Sequence, residues 1–322
     1  MKFFAKSMLF VVFFVSASFV VAEKNSEKTV ITITTASENG FYYKIGKDIQ
    51  TLVKKESNDI EIRVVQSYGS LRNMQRLSNE GDSCVEKNEV NCYADIGIVQ
   101  SDVWREKYDK NKVGLILPLY EEEVHLLARS HIKKIEDLKG KQVVIGTTGS
   151  GTWFTALNIL ETLEITAETT SFLEQSEKEG IISVLKGKAD AVFYVIGKGI
   201  KAFKNFENLH YYQEYGKLDN VHFIKIKLSE KLKDKGYYDG YLKYSWFKNN
   251  IQTVAVSAML VGRNYCHNTD SAVKKIKDKL SEDETLQTLK DCSQNENTCK
   301  MWEQTTKPNQ QMVSVLRGKN CP

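Results

Sequence analysis

Proline is almost missing from this 322-residue chain, which has three of them alongside 19 glycines, and no internal repeat is visible. Collagen-like, low-complexity and wholly disordered classes are excluded on that composition. Charge of one sign is lacking too. The formal net charge is +4, or about +2 without Lys2 and Lys6 of the leader described below, too little to hold nucleic acid. No C-x-x-C pair, phosphate-loop lysine, G-x-G-x-x-G turn or G-x-S-x-G elbow occurs. Zinc ribbons, nucleotide loops, dinucleotide folds and hydrolase elbows therefore lack support. No apolar run beyond the leader is long enough to cross a bilayer. What remains is 41% hydrophobic and 27% charged, a globular composition whose length suits about two domains.

The chain opens MKFFAKSMLFVVFFVSASFVVAEKN: two lysines, an apolar run from Met8 to Val21, and a small residue at Ala22. That is the pattern of an export signal peptide, residues 1–22, with the mature chain starting at Glu23. An uncleaved anchor is the alternative, against which Ser16 and Ser18 dilute the run. Six cysteines, Cys84, Cys92, Cys266, Cys292, Cys299 and Cys321, fit an oxidising compartment and permit three disulfides. Cys84 and Cys92 bracket VEKNEVN and would close a short loop; the other four are expected to pair among themselves in an order the spacing leaves open. His267 beside Cys266 is one neighbour and no ligand set, so neither a metal nor a cofactor is expected.

A strand–turn–helix beat recurs along the chain. Thr29–Thr35 alternates as a strand, Gly40 breaks it, and Ile45, Ile49, Leu52 and Val53 then fall on one helical face. Ile60–Val65 precedes Tyr68-Gly69-Ser70 and a helix carrying Leu71, Met74 and Leu77. Asp95–Val99 precedes Gln100-Ser101-Asp102, where Ser or Asp can cap a helix. Gln142–Ile145, the glycine turn Gly146–Gly151 and a helix from Trp153 to Leu163 repeat the beat, and a helix over Ile181–Leu185 enters the strand Ala191–Ile196. Such alternation predicts α/β architecture with parallel or mixed sheets. Leu115–Arg129 and Thr253–Arg263 read as two strands crossing between lobes, and lysine-rich helices near 227–235 and 274–279 read as solvated faces.

The strongest local motif is VVIGTTGSGT, Val143 to Thr152. Its helix start would aim backbone N–H groups and hydroxyls at an anion; the competing reading is a tight turn with a helix cap. Thr35–Tyr43, with Gly40 and the aromatics Phe41, Tyr42 and Tyr43, offers either hydroxyls over a cleft or rings packed on the sheet. Gly69–Asn73 and Val99–Asp102 sit at strand carboxyl ends, where open α/β sheets place ligands. His125 lies in an apolar strand and the other histidines in polar surroundings, so structural or surface roles are expected. Glu121, Glu122 and Glu123 suggest acid–base work or, for Glu121 and Glu123, a solvated charge run.

In order along the chain, ENGFYYKIG, YGSLRNMQRLSNEG, ADIGIVQSDV, LPLYEEEVHLLAR, IEDLKGKQVVIGTTGSGTWFTALNIL, ADAVFYVIG and TVAVSAMLVGR resemble the solute-binding subunit of TRAP transporters of the TAXI type. The resemblance implies a periplasmic-binding-protein fold, two α/β lobes joined by crossing hinge strands. Residues 23–122 plus 255–322 would form lobe one and 123–254 lobe two. It also implies a monomeric periplasmic receptor without cofactor or catalysis. It would close over a small amino acid or dicarboxylate, such as glutamate or glutamine, and deliver it to a sodium-coupled TRAP membrane permease. The candidate ligand contacts are Ser37, Asn39, Gly40, Phe41, Tyr42, Ser70, Asn73, Gln100, Tyr120, Glu122, Gly149, Ser150, Gly151, Thr152 and Tyr194. Asn39-Gly40-Phe41 stands where the family carries a glycine pair and Thr, and Glu121 and Glu123 replace prolines around the retained Glu122. Two other readings compete. One is an exported enzyme on an amino acid or sugar acid that uses Glu122; the other is an adhesin or immunogenic surface protein docking through the aromatic run Tyr237 to Phe247.

Overall fold

The computed structural model describes residues 28–78, 93–107, 113–197, 220–244, 250–263, 272–291 and 298–306. The leader and five of the six cysteines lie outside them.

β-Branched residues fill β1 (Thr29–Thr34), the composition that packs best on a pleated surface. After Gly40, α1 (Phe41–Glu56) buries Tyr42, Ile45, Ile49, Leu52 and Val53 along one stripe, and Lys54 and Lys55 in its last turn complement the helix dipole. β2 (Ile60–Val65), α2 (Ser70–Ser78) and β3 (Ile96–Gln100) complete a βαβαβ unit. β1 is parallel to both other strands and lies between them. A second unit follows: β5 (Gln142–Val144), α4 (Gly151–Thr162), β6 (Ser171–Leu173), α5 (Glu177–Leu185) and β7 (Ala191–Ile196). Here too the first strand sits in the middle, with β5 parallel to β6 and β7. The two units share one topology with no visible repeat in sequence.

Between them run β4 (Val113–Arg129) and β10 (Ile251–Arg263), antiparallel to one another. β10 also pairs with β3 and β4 with β7, so one ten-stranded sheet, ordered β2-β1-β3-β10-β4-β7-β5-β6, passes through both units. This is the two-lobed α/β periplasmic-binding-protein fold, and both crossing strands extend two residues before their expected starts. β8 (Val221–Phe223) and β9 (Tyr238–Leu242) add to β4 and β10. α3 (Ser101–Lys107) follows β3.

Three expectations need correction. Within the aromatic run, Tyr237, Tyr238, Leu242 and Tyr244 are buried, as β9 is hydrogen-bonded to β10, and Tyr241 is the one exposed ring among its described residues. That stretch forms no docking patch; 245–249 lie outside the described residues. Glu123 is 1% exposed, since the middle of β4 is flanked by strands on both edges and covered on both faces. It is no solvated charge. The helix expected near 227–235 is only Glu230–Asp234, preceded by an extended stretch in which Ile224 and Ile226 are buried and Lys225 and Lys227 are exposed. His125 is structural: Nδ1 lies 2.9 Å from the Glu123 carbonyl and Nε2 2.6 Å from the Tyr244 hydroxyl, and burial lowers its pKa to about 4.

Opposite β10, β4 carries extra residues at Leu119 and Ile116, because Ala258 faces Tyr120, Met259 faces Pro118, Leu260 faces Leu117 and Val261 faces Leu115. Each bulge leaves backbone groups off the ladder. The helix Cys299–Thr306 covers this region. Thr305 Oγ1 donates to the Leu119 carbonyl at 3.1 Å, and the Glu121 N–H donates to Gln304 Oε1 at 3.0 Å. The same helix is pinned to α1, with Trp302 Nε1 and Thr298 Oγ1 donating to Asp48 Oδ2 at 2.8 and 2.6 Å. Cys299 is in a disulfide whose partner lies outside the described residues. Trp302 is almost wholly buried. Replacing it by Ala is expected to lower unfolding free energy by about 3–5 kcal/mol in denaturant titration, and Trp302→Phe by less than half of that. A loss below about 1 kcal/mol for Trp302→Ala would contradict this docking.

Candidate functional site

Both units place their first two helix starts at strand carboxyl ends, and all four starts meet at one cleft of about 290 Å³. Open α/β sheets bind ligands at such switch points, where connections leave the central strand in opposite directions. From the first unit come Ser37, Asn39, Gly40, Phe41 and Tyr42 at α1, and Tyr68, Gly69 and Ser70 at α2; from the second come Ser150, Gly151 and Thr152 at α4, and Ser176 and Glu177 at α5. Gln100, Tyr120, Glu122 and Tyr194 come from the sheet between them.

The helix starts differ in what already satisfies them. α1 begins at Gly40 with no side-chain cap and no acid in its first turn. α4 is capped by Ser150 Oγ, which accepts from the Trp153 N–H at 3.1 Å, so the capping alternative holds for that hydroxyl. The Thr152 hydroxyl accepts from the Val195 N–H at 3.3 Å. Orphan N–H groups of the first turn remain for a ligand. α5 is capped by a reciprocal Ser176–Glu179 box and carries Glu177 as well as Glu179 in its first turn.

Glu122 forms the floor. Its Oε2 accepts from Tyr42 Oη at 3.0 Å and Gln100 Nε2 at 2.9 Å, and its Oε1 from Tyr120 Oη at 3.1 Å. All three donors are neutral. Burial raises its pKa, these hydrogen bonds oppose the rise, and the result is about 7. Ser70 Oγ supports the group from behind, accepting from the Gln100 N–H at 3.1 Å and lying 3.5 Å from Tyr42 Oη. Burial also raises the pKa of Glu177, and a bond to its own backbone N–H opposes the rise. Among the described residues, the charged side chains lining the cleft are these two carboxylates.

The units touch across the cleft. The Arg72 N–H donates to the Gly149 carbonyl at 3.2 Å, and Asp102 Oδ2 accepts from Thr155 Oγ1 at 2.6 Å and Tyr237 Oη at 2.7 Å. Gly151 is required by this approach: a Cβ there would overlap the Gln100 carboxamide and lie 2.9 Å from Ser70 Oγ. Gly69, at φ +121°, faces Ser150 in the same way.

Of the fifteen expected contacts, the structure gathers thirteen along the cleft wall. Gly149 stands behind it on the turn, with φ +85°. Asn73 is a correction. It is fully buried, its Nδ2 donates to the Thr35 and Ile98 carbonyls at 2.6 and 2.7 Å, and its Oδ1 accepts from Thr34 Oγ1 at 2.6 Å. It stitches β1 to β3 and leaves no polar atom for a ligand. Glu177, Ser176, Tyr68 and Thr147 were missed; the S-x-x-E capping box Ser176–Glu179 was the available signal for the first two. Asn73→Ala strands several buried groups, at about 1–3 kcal/mol each, so thermal melting should fall well below wild type. A variant as stable as wild type would contradict the stitching role.

Residues 33–296 match the NMT1-like family. Among solved structures, the chain resembles XAC2383 from Xanthomonas citri bound to chloride ion, at 9% identity and a TM-score of 0.50, over 86% of this chain and 98% of that one. At that identity the likeness concerns the fold alone. SsuA, a periplasmic sulfonate-binding protein from Methylobacillus flagellatus KT, aligns at 14% identity and a TM-score of 0.47 over 91% of this chain and 78% of its own. The GluR0 ligand-binding core from Nostoc punctiforme in complex with L-glutamate aligns at 18% identity and 0.45, over 86% and 100%. With the family match running through both βαβαβ units and both crossing strands, the chain belongs to the NMT1-like family.

Proposed function

We propose that this protein is a non-enzymatic, periplasmic solute-binding receptor that delivers a small ligand to a membrane transporter. The observation that carries the reading is the meeting of helix starts from both units over the buried Glu122 carboxylate. Helix starts stabilise an anion, and a carboxylate held by neutral donors is completed by a cation. One ligand carrying both groups, an α-amino acid such as glutamate or glutamine, satisfies the two requirements together. The sequence motifs support the finer assignment to the TAXI type of TRAP system, with a sodium-coupled permease as partner.

Residues 23–122 plus 255–322 act as lobe one and 123–254 as lobe two in this reading, with the signal peptide removed and β4 and β10 as hinge. Ser70 and Gln100 lie against Gly151 here, the closed state in this reading, and a ligand touching both sides favours it by differential affinity. The exported-enzyme reading is favoured by one observation, the pKa of about 7 at Glu122. Recovery of chemically unchanged ligand after long incubation separates receptor from enzyme.

Glu122 sets the pH dependence. Its folded pKa lies above the ordinary carboxyl value of 4.5, so the folded ligand-free protein holds this proton more tightly than the unfolded chain. Its contribution to stability therefore falls as pH rises from 4.5 towards about 7. An ammonium group needs the ionised form, so amino-acid affinity should rise with pH up to about 7 and level off above it. Calorimetry across this range with L-glutamine, L-glutamate and 2-oxoglutarate tests the contact. The 2-oxo acid should bind weakly because it leaves the carboxylate unpaired. Glu122→Gln should lose amino-acid affinity by about 2 kcal/mol or more and flatten the pH profile. Unchanged affinity in Glu122→Gln would remove the ammonium contact.

A further inference from the structure

The four helix starts around the cleft are chemically unequal. Three of them, α1, α2 and α4, have no acidic residue in the first turn. The fourth, α5, carries Glu177 and Glu179, with Glu179 folded back onto Ser176 at 3.1 Å to its N–H and 2.7 Å to its hydroxyl. Glu177 lines the cavity itself. The equivalent position in the first unit, the start of α2, presents Ser70. The shared topology thus places a hydroxyl at one helix start and a carboxylate at its counterpart.

A ligand carboxylate is therefore received at the α1, α2 and α4 starts and repelled at the α5 start. Glu122, on the crossing strand between the two units, suits the α-ammonium. The remaining end of the ligand meets Glu177, and among the described residues no Lys or Arg side chain lines the cavity to receive a second carboxylate. We propose that Glu177 is a specificity-determining residue that selects amino acids whose far end donates hydrogen bonds, as an amide or ammonium does, and rejects dicarboxylates. The inference rests on the reading of the cleft as a receptor site and narrows its ligand class from amino acids in general to those with one carboxylate.

The cavity is small enough for this to matter. At about 290 Å³ it lies at the lower limit for ligand sites, and Glu177 is part of its wall. L-glutamine and L-glutamate have the same shape and differ in one terminal group, which makes them the cleanest probes. A buried acceptor discriminates strongly against an analogue that brings no donor, and like charges at close quarters add to the penalty.

The test is calorimetry of L-glutamine and L-glutamate on the intact mature protein and on Glu177→Gln, at a pH above 8, beyond the pKa of about 7 at Glu122. Wild type should bind L-glutamine at least about tenfold more tightly than L-glutamate. Glu177→Gln should shrink that ratio severalfold while binding at least one of the two, with Glu177→Ala as a second variant whose melting curve verifies folding. L-glutamate binding as tightly as L-glutamine, or a ratio unchanged in both variants, overturns the role of Glu177 and leaves the receptor reading standing. Wild type that binds neither probe overturns the receptor reading and this inference with it.

Discussion

The arrangement depends on one buried carboxylate in the middle of a sheet. Glu122 occupies a strand hydrogen-bonded on one edge to β10, with Val256 as its partner, and is held by Tyr42, Gln100 and Tyr120. A carboxylate in such a place is costly unless its lone pairs are filled. The three donors come from a helix start, a strand end and the crossing strand itself. That requirement ties α1, β3 and β4 together, and it fixes Tyr42 and Gln100 on the cleft wall. Because the donors are neutral, burial is only partly offset and the pKa settles at about 7. The group is poised to gain from a cation, and the same bonds that satisfy it in the free protein orient it towards a ligand.

Around that point the two βαβαβ units are arranged alike, each with its first strand central and two helix starts facing the cleft. The long strands β4 and β10 belong to both units at once, so the sheet transmits the position of one unit to the other. The helix Cys299–Thr306 reinforces this link by satisfying backbone groups at the β4 bulge and gripping Asp48 of α1. Gly69 and Gly151 allow the halves to meet, where any side chain at 151 would collide with Gln100.

Much of this was legible in the sequence. Periods of 2 and 3.6 marked β2, α1 and α2 because each has one buried and one wetter face, while β1 showed through its β-branched run. The crossing strands showed as long apolar runs because they are buried on both faces. Three-residue strands such as β6 and β8 carry too few residues for a period and were not visible. The family resemblance places Asn73 among the ligand contacts, yet its amide is consumed by the Thr35 and Ile98 carbonyls. Glu123 looked solvated because its charge says nothing of the strands on either side of it. The aromatic segment from Tyr237 to Tyr244 was ambiguous by composition, and only its pairing with β10 assigns it to the interior. For Glu177 the residues offer only the S-x-x-E capping box Ser176–Glu179, which marks a helix start, while the equivalence of α5 with α2 is visible only in the topology.

The central claim is that one small amino acid is gripped by both units at once. Hydrogen–deuterium exchange of the intact mature protein, with and without saturating L-glutamine, reads this directly. The account predicts simultaneous slowing at the starts of α1, α2 and α4, around Gly40–Tyr42, Gly69–Ser70 and Gly151–Trp153. Protection confined to one unit, or no protection at any of the three, would contradict it.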